Sequence, residues 1–297
     1  MRLLRYLLVS GSAAAMAGAV TLSGATATSV AAPARTSHAP SARLLSEAKA
    51  ALVREMRHNH PQAMLAPTGH ARAIRNVTAT QAFNWSGYAD ATSTKQKFTK
   101  VSGSWTTPSV TCNAEDQITS NWVGLDGLSL PKFTNSTVEQ LGTISWCFQK
   151  TPTYFTWFEM PKAGLVEVGT SLQPGDKITA SVTRSGTTYT LKLTDSTHTA
   201  NSFTRTATCA LTVCLDASAE WISERPSFSI GTAPQAHYNA FKITNGAQTS
   251  SGKAGTISTG PGVKAITMRD ATNSYDLNTV SGLTGGNSFS TTWKNSY

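Results

Sequence analysis

Carboxylates are scarce in this chain, with 16 Asp and Glu among 297 residues. The places where they sit beside tryptophans and amides therefore narrow the chemistry quickly. In "AEWISE" two glutamates, Glu220 and Glu224, flank Trp221. In "TWFEMP" Glu159 follows Trp157 by two residues, in "VEQLG" Glu139 adjoins Gln140, and in "NWVGLDG" Asp126 follows Trp122. If "AEWISE" is a strand, its period of two sends Glu220, Ile222 and Glu224 to one side and Trp221 and Ser223 to the other. In a helix Glu220 and Glu224 would still share a face. In "YFTWFEMP" the same alternation puts Phe155, Trp157 and Glu159 together. A carboxylate held beside indole rings has its charged form partly desolvated, which raises its pKa and suits it to general acid or base work.

Other hydrolytic chemistries lack their residues. No GxSxG turn is present, and a Ser-His-Asp triad would need His198 in "DSTHTAN" or His237 in "PQAHYN", both in ordinary polar surroundings. There is no HExxH, no phosphate-cradling glycine loop and no CxxC, so neither a metal nor another cofactor is expected. Carboxylate chemistry remains.

These residues must be positioned by elements that begin well inside the chain. Residues 1–34 start with Arg2 and Arg5, continue through an apolar stretch broken by Ser and Gly, and end among small residues. That is the pattern of a secretory signal peptide rather than a membrane span, and it predicts an extracellular protein. Residues 35–80 form a basic pro-segment in which Leu45, Ala48, Leu52 and Met56 recur at helical spacing ahead of Pro61, predicting one amphipathic helix. The formal charge of +9 is misleading as a pointer to nucleic acid. Up to Ala79 the chain holds nine of the 25 basic residues and only two of the 16 acidic ones, which leaves 16 basic and 14 acidic residues beyond.

Residues 81–297 change to Ser, Thr, Gly and β-branched residues in period-two runs. "KITASVTRSGTTYTLKLTD" reads as a hairpin turning at Ser185-Gly186, and "FTKVSGSWTTP", "GVKAITMRD" and "SFSTTWK" as further short strands. The expectation is an all-β domain, an antiparallel β-sandwich of the jelly-roll or lectin-like kind with two packed sheets, acting as a monomer. Four cysteines in an exported chain imply two disulfides. Three pairings are open, with Cys209–Cys214 as a local clip and Cys112–Cys147 as the favoured set.

In this order and spacing, "FNWSGYA", "WVGLDG", "EQLG", "TWFEMP" and "SAEWISE" resemble the landmark segments of the glutamic peptidases, also called eqolisins, over roughly residues 83 to 295. The resemblance implies a sandwich of two antiparallel sheets and a secreted acid endopeptidase acting on polypeptides, expected to resist aspartic-peptidase inhibitors. It makes Glu224 the catalytic glutamate and Gln140 its partner. It places Trp85, Trp122, Asp126, Trp157 and Glu159 on the substrate-binding face, with the pro-segment as inhibitor. The chain departs from some members at Met160 and Phe155. The alternative is a secreted carbohydrate-binding sandwich stacking sugars on Trp122, Trp157 and Trp221, or a glycosidase pairing Glu159 with Glu224.

Overall fold

The computed structural model describes residues 40–56, 63–66, 77–128, 137–161, 163–229 and 231–297. The expected leader, 1–34, lies outside them. The predicted helix forms as α1, Ala42–Met56. Ser41 Oγ accepts the Leu44 N–H at 3.3 Å, serving one of the donors that a first helical turn leaves free. The face spaced for burial is the buried one, with Ala48, Leu52, Val53 and Met56 covered.

Strands make up most of the rest, and the two-residue pairings and the short return strand Lys253–Thr256 are left unnumbered. In chain order they are β1 (Thr78–Ala82), β2 (Trp85–Ala91), β3 (Phe98–Thr106), β4 (Ile118–Leu125), β5 (Glu139–Phe148), β6 (Thr151–Met160) and β7 (Gly164–Glu167). They continue as β8 (Lys177–Ser185), β9 (Thr188–Asp195), β10 (Phe203–Thr208), β11 (Ser218–Glu224) and β12 (Phe241–Ser250). The last are β13 (Val263–Arg269), β14 (Asp276–Val280) and β15 (Phe289–Trp293). Hydrogen-bonded neighbours run β10-β9-β8-β3-β12-β15-β14-β13-β2-β11-β4-β5-β6-β7. Pairing along this path is antiparallel, while β1 joins β13 in parallel. The predicted hairpin is β8–β9, with Ser185 opposite Thr188 and Gly186 at φ 58° in its turn.

One strand folds this ladder into two layers. Phe241–Ile243 of β12 pairs with β15, and from Thr244 onward β12 pairs with β3 after a break in register between Thr244 and Ala247. The β10-β9-β8-β3 layer then lies across β4 and β5. Tyr88, Val123, Leu141 and Trp221 from the larger sheet meet Val101, Trp105, Val182 and Leu191 from the smaller one. The architecture is the expected antiparallel sandwich.

The opposite face of the larger sheet has its own apolar layer of Trp85, Trp122, Phe155, Trp157 and Ile222, and α1 covers it. Gly142 makes room there, since a Cβ would lie 2.1 Å from the Asn121 carbonyl oxygen and 2.6 Å from the Trp122 Cβ. Cys112–Cys147 and Cys209–Cys214 are both bonded, as favoured from the sequence. Among the described residues no helix is long and apolar enough to cross a membrane.

Candidate active site

Register brings the carboxylate segments together. In the ladder β2-β11-β4, Glu224 lies opposite Trp85 on one side and Ser120 on the other. One step along, Ile222 is level with Trp122, which is level with Gly142 and then Trp157. A further step aligns Glu220, Gly124, Gln140 and Glu159. Residues level across a sheet point to one face, so Trp85, Trp122, Gln140, Trp157, Glu159 and Glu224 all belong to the face under α1.

Two contacts fix Glu224 and Gln140. Trp122 Nε1 donates to Glu224 Oε2 at 2.8 Å, and the Trp122 ring is held edge-on by Trp85 at 4.9 Å. Gln140 Nε2 donates to Glu159 Oε2 at 2.8 Å. Among the described residues no group donates to Glu224 Oε1 or Gln140 Oε1 with ordinary hydrogen-bond geometry, and the Trp85 side chain also favours ionised Glu224. Burial drives the Glu224 carboxyl up to about 8; the Trp122 hydrogen bond works against that, and the nearby Glu159 charge adds to it. A small cavity of about 10 Å³, the size of one water, is lined by Ser120, Gln140, Trp157, Glu159, Glu224 and, from α1, Met56.

The helix sits on this site through polar contacts as well. Lys49 forms an ion pair with Glu167 and lies 5.0 Å above the Phe155 ring, while Glu55 accepts the Ser229 N–H at 3.0 Å. Ser120, Leu165, Pro226 and Met56 all line the cavity; the sequence marked Met56 only as part of the helix's apolar stripe and did not single out the other three. Ser120 could have been found by counting back two from Trp122, whereas Met56 enters through a long-range packing contact with no local signal.

Asp126, like Trp85 and Trp122, is not among the cavity-lining residues. It ends β4 at φ 69°, and its carboxylate turns to the loop before β11, accepting N–H groups of Leu215, Asp216 and Ala217 at 2.7, 2.8 and 2.8 Å. Trp221 also departs from the sugar-stacking alternative. It points into the core between the sheets, where its Nε1 donates to the Ser102 carbonyl at 2.8 Å. A larger open groove of about 500 Å³ beside β3 and β8 carries Lys177, Lys242 and hydroxyl side chains, with no carboxylate or imidazole in its lining.

Solved structures with this fold include Scytalido-glutamic peptidase with a peptide-based transition-state analogue. It is 22% identical, with a TM-score of 0.58, covering 71% of this chain and 98% of that one. Another is SCP-B of the eqolisin family in complex with the tripeptide Ala-Ile-His, 23% identical with a TM-score of 0.57 over the same shares. Aspergilloglutamic peptidase from Aspergillus niger is 21% identical with a TM-score of 0.50, covering 60% of this chain and all of its own. No curated protein sequence is significantly similar to the chain. The profile of the Peptidase A4 family matches residues 83–293, which takes in every strand from β2 to β15, and the chain belongs to that family of glutamic endopeptidases.

Proposed function

We propose that this chain is the precursor of an extracellular endopeptidase that cleaves polypeptides in acid with Glu224 and Gln140 as its catalytic pair. The observation that carries this is their convergence on one water-sized cavity, each with a side-chain oxygen that no protein group occupies. Glu224 as carboxylate takes a proton from water, and the hydroxide so formed attacks the scissile carbonyl carbon. Trp122 holds Oε2 of Glu224, which leaves Oε1 to move the proton. One Gln140 amide hydrogen is engaged by Glu159, and the second is available to the developing oxyanion. Glu224 then returns its proton to the departing amine as the C–N bond breaks. A neutral amide performs the oxyanion duty equally well in acid.

The pro-segment supplies the inhibitor in this reading. Met56 lines the cavity, and Lys49 pairs α1 to the sheet through Glu167. Removing α1 admits water to Glu224 and relieves the burial that raises its pKa, restoring the ionised base at lower pH.

The test is digestion of a denatured protein from about pH 2 to pH 7 by processed wild type, Glu224→Gln and Gln140→Ala, with an aspartic-peptidase inhibitor present. Acid-favoured, inhibitor-resistant cleavage that both substitutions abolish is expected. Full activity in either folded variant would remove the pair from the chemistry. Release of sugars from glycans by the wild type, with no proteolysis, would instead favour a glycosidase pairing Glu159 with Glu224.

A further inference from the structure

The catalytic scheme leaves two buried glutamates without a task. Glu139 and Glu220 are both fully buried; the Ser218 hydroxyl acts on Glu220, while among the described residues no N–H donates to the Glu139 carboxyl. Glu139 opens β5 and, level with Leu125 and therefore with Ala219, points to the face away from the active site. There its carboxyl oxygens come within 4.8 Å of those of Asp126 and Asp216. The neighbours are already served. Asp126 accepts three N–H groups, two on Oδ2 and one on Oδ1. Asp216 accepts the Tyr189 hydroxyl at 2.8 Å and is ion-paired to Arg184 at 2.8 Å. The Cys209–Cys214 disulfide lies against Glu139 and does not titrate. On the adjoining strands Glu220 and Asp90 add further acid, and Lys97 acts on Asp90. Arg184 is the cation paired directly to the cluster.

An ionised Glu139 would have acceptors around it and nothing to accept from. As the neutral acid it becomes a donor, and the Asp126 carboxylate, which lies beside it and acts on it through a side-chain hydrogen bond, is the acceptor it faces. We propose that Glu139 is kept as the neutral acid and donates its O–H to Asp126, forming a proton-operated clasp that ties the 209–217 loop to the head of β5 and opens as pH rises. Three N–H donors and a guanidinium already serve Asp126 and Asp216, which favours a proton over a divalent cation at this place.

The direction of the pH effect follows from which state holds more protons. Burial, then the charges of Asp126, Asp216 and Glu220, push Glu139 well above the ordinary carboxylate range. Burial likewise raises Glu220 well above it, and burial with the Asp126 charge lifts Asp216 to about 7. Above the unfolded values the folded chain therefore binds more protons than the unfolded one. Stability is fully present in acid and is lost as pH rises through the folded values.

The test uses the full chain carrying Glu224→Gln, which prevents self-cleavage and removes that group's own titration, with and without Glu139→Gln. Urea midpoints are measured between about pH 4 and pH 8. The parent should lose stability across this range, and Glu139→Gln should flatten the loss by about one proton per molecule. Equal slopes would overturn the proposal. So would calcium chloride raising the neutral-pH midpoint of the parent and not of the Glu139→Gln protein, since that would identify a cation site. Infrared difference spectra of the parent read the same point even if the double variant does not fold. A protonated-carboxyl band persisting at about pH 6 is expected, and its absence would defeat the idea.

Discussion

Glu159 is the residue whose replacement separates orientation from chemistry. It touches the amide of Gln140 rather than Glu224, and both Glu159 and Gln140 are buried, at 2% and 0% exposure. A hydrogen bond to a charged group is worth about 1.5–3 kcal/mol net. If Glu159→Ala releases the amide from the position it needs when the oxyanion forms, kcat falls by about 10- to 150-fold. KM should hold, because the oxyanion exists only in the transition state. A second effect runs through charge. Glu159 helps to raise the Glu224 pKa, so its removal lowers that pKa and moves the acid limb of kcat/KM to lower pH. Glu159→Gln keeps an acceptor for the Gln140 N–H and loses the charge. It should therefore recover part of kcat while keeping the shifted limb. The assay is steady-state cleavage of a fluorogenic peptide by the processed enzyme across the pH range, with circular dichroism to verify folding. A folded Glu159→Ala enzyme with kcat within about twofold of wild type and an unmoved limb would refute the argument, because a lost interaction of the size assigned here must appear in kcat.

Trp122→Phe removes the donor that favours ionised Glu224, so its acid limb should move to higher pH, opposite to Glu159→Gln. The pH profile of kcat/KM reads both. Leu52→Asp places a charge where α1 is 2% exposed. Burying a leucine is worth about 1.5–3 kcal/mol, so an otherwise unprocessed chain carrying it should cleave peptide at least about tenfold faster than the unprocessed wild type. Replacing both Cys112 and Cys147 with serine opens a link spanning 35 residues at the core between the sheets; a cost of about 2–5 kcal/mol is expected and is measurable as a lower urea midpoint.

Much of the sandwich was legible because its strands obey local rules. The β8–β9 hairpin shows an alternation that Ser185-Gly186 interrupts where the chain must turn, and α1 shows apolar residues at three-to-four spacing. The alternation also placed Glu220 and Glu224 on one side before any strand was paired. What stayed hidden depends on register between distant strands. Trp122 and Trp221 are both tryptophans in strong strands, yet Ile222 is the residue level with Trp122, so Trp221 faces the other way. Nothing in either strand taken alone decides this. The turn of Asp126 toward residues 215–217 was hidden for a related reason: its left-handed backbone just past β4 breaks the alternation that Trp122 and Gly124 follow.

That break in alternation joins two chemistries through one short stretch of chain. Glu139 and Gln140 are adjacent, so they face opposite sides of β5, one toward the clasp and one toward the cavity. Asp126 meanwhile ties β4 to the three residues that lead into β11, the strand that ends at Glu224. On the clasp proposal, ionising the Glu139 cluster should disturb the starts of both strands that carry the proposed pair, Gln140 and Glu224. Loss of activity toward neutral pH should then follow the unfolding of these strand ends, while the acid limb follows protonation of Glu224. The two can be told apart, because a base titrating in a rigid site recovers at once on return to acid, and a site whose clasp has opened recovers only as fast as the loop re-forms.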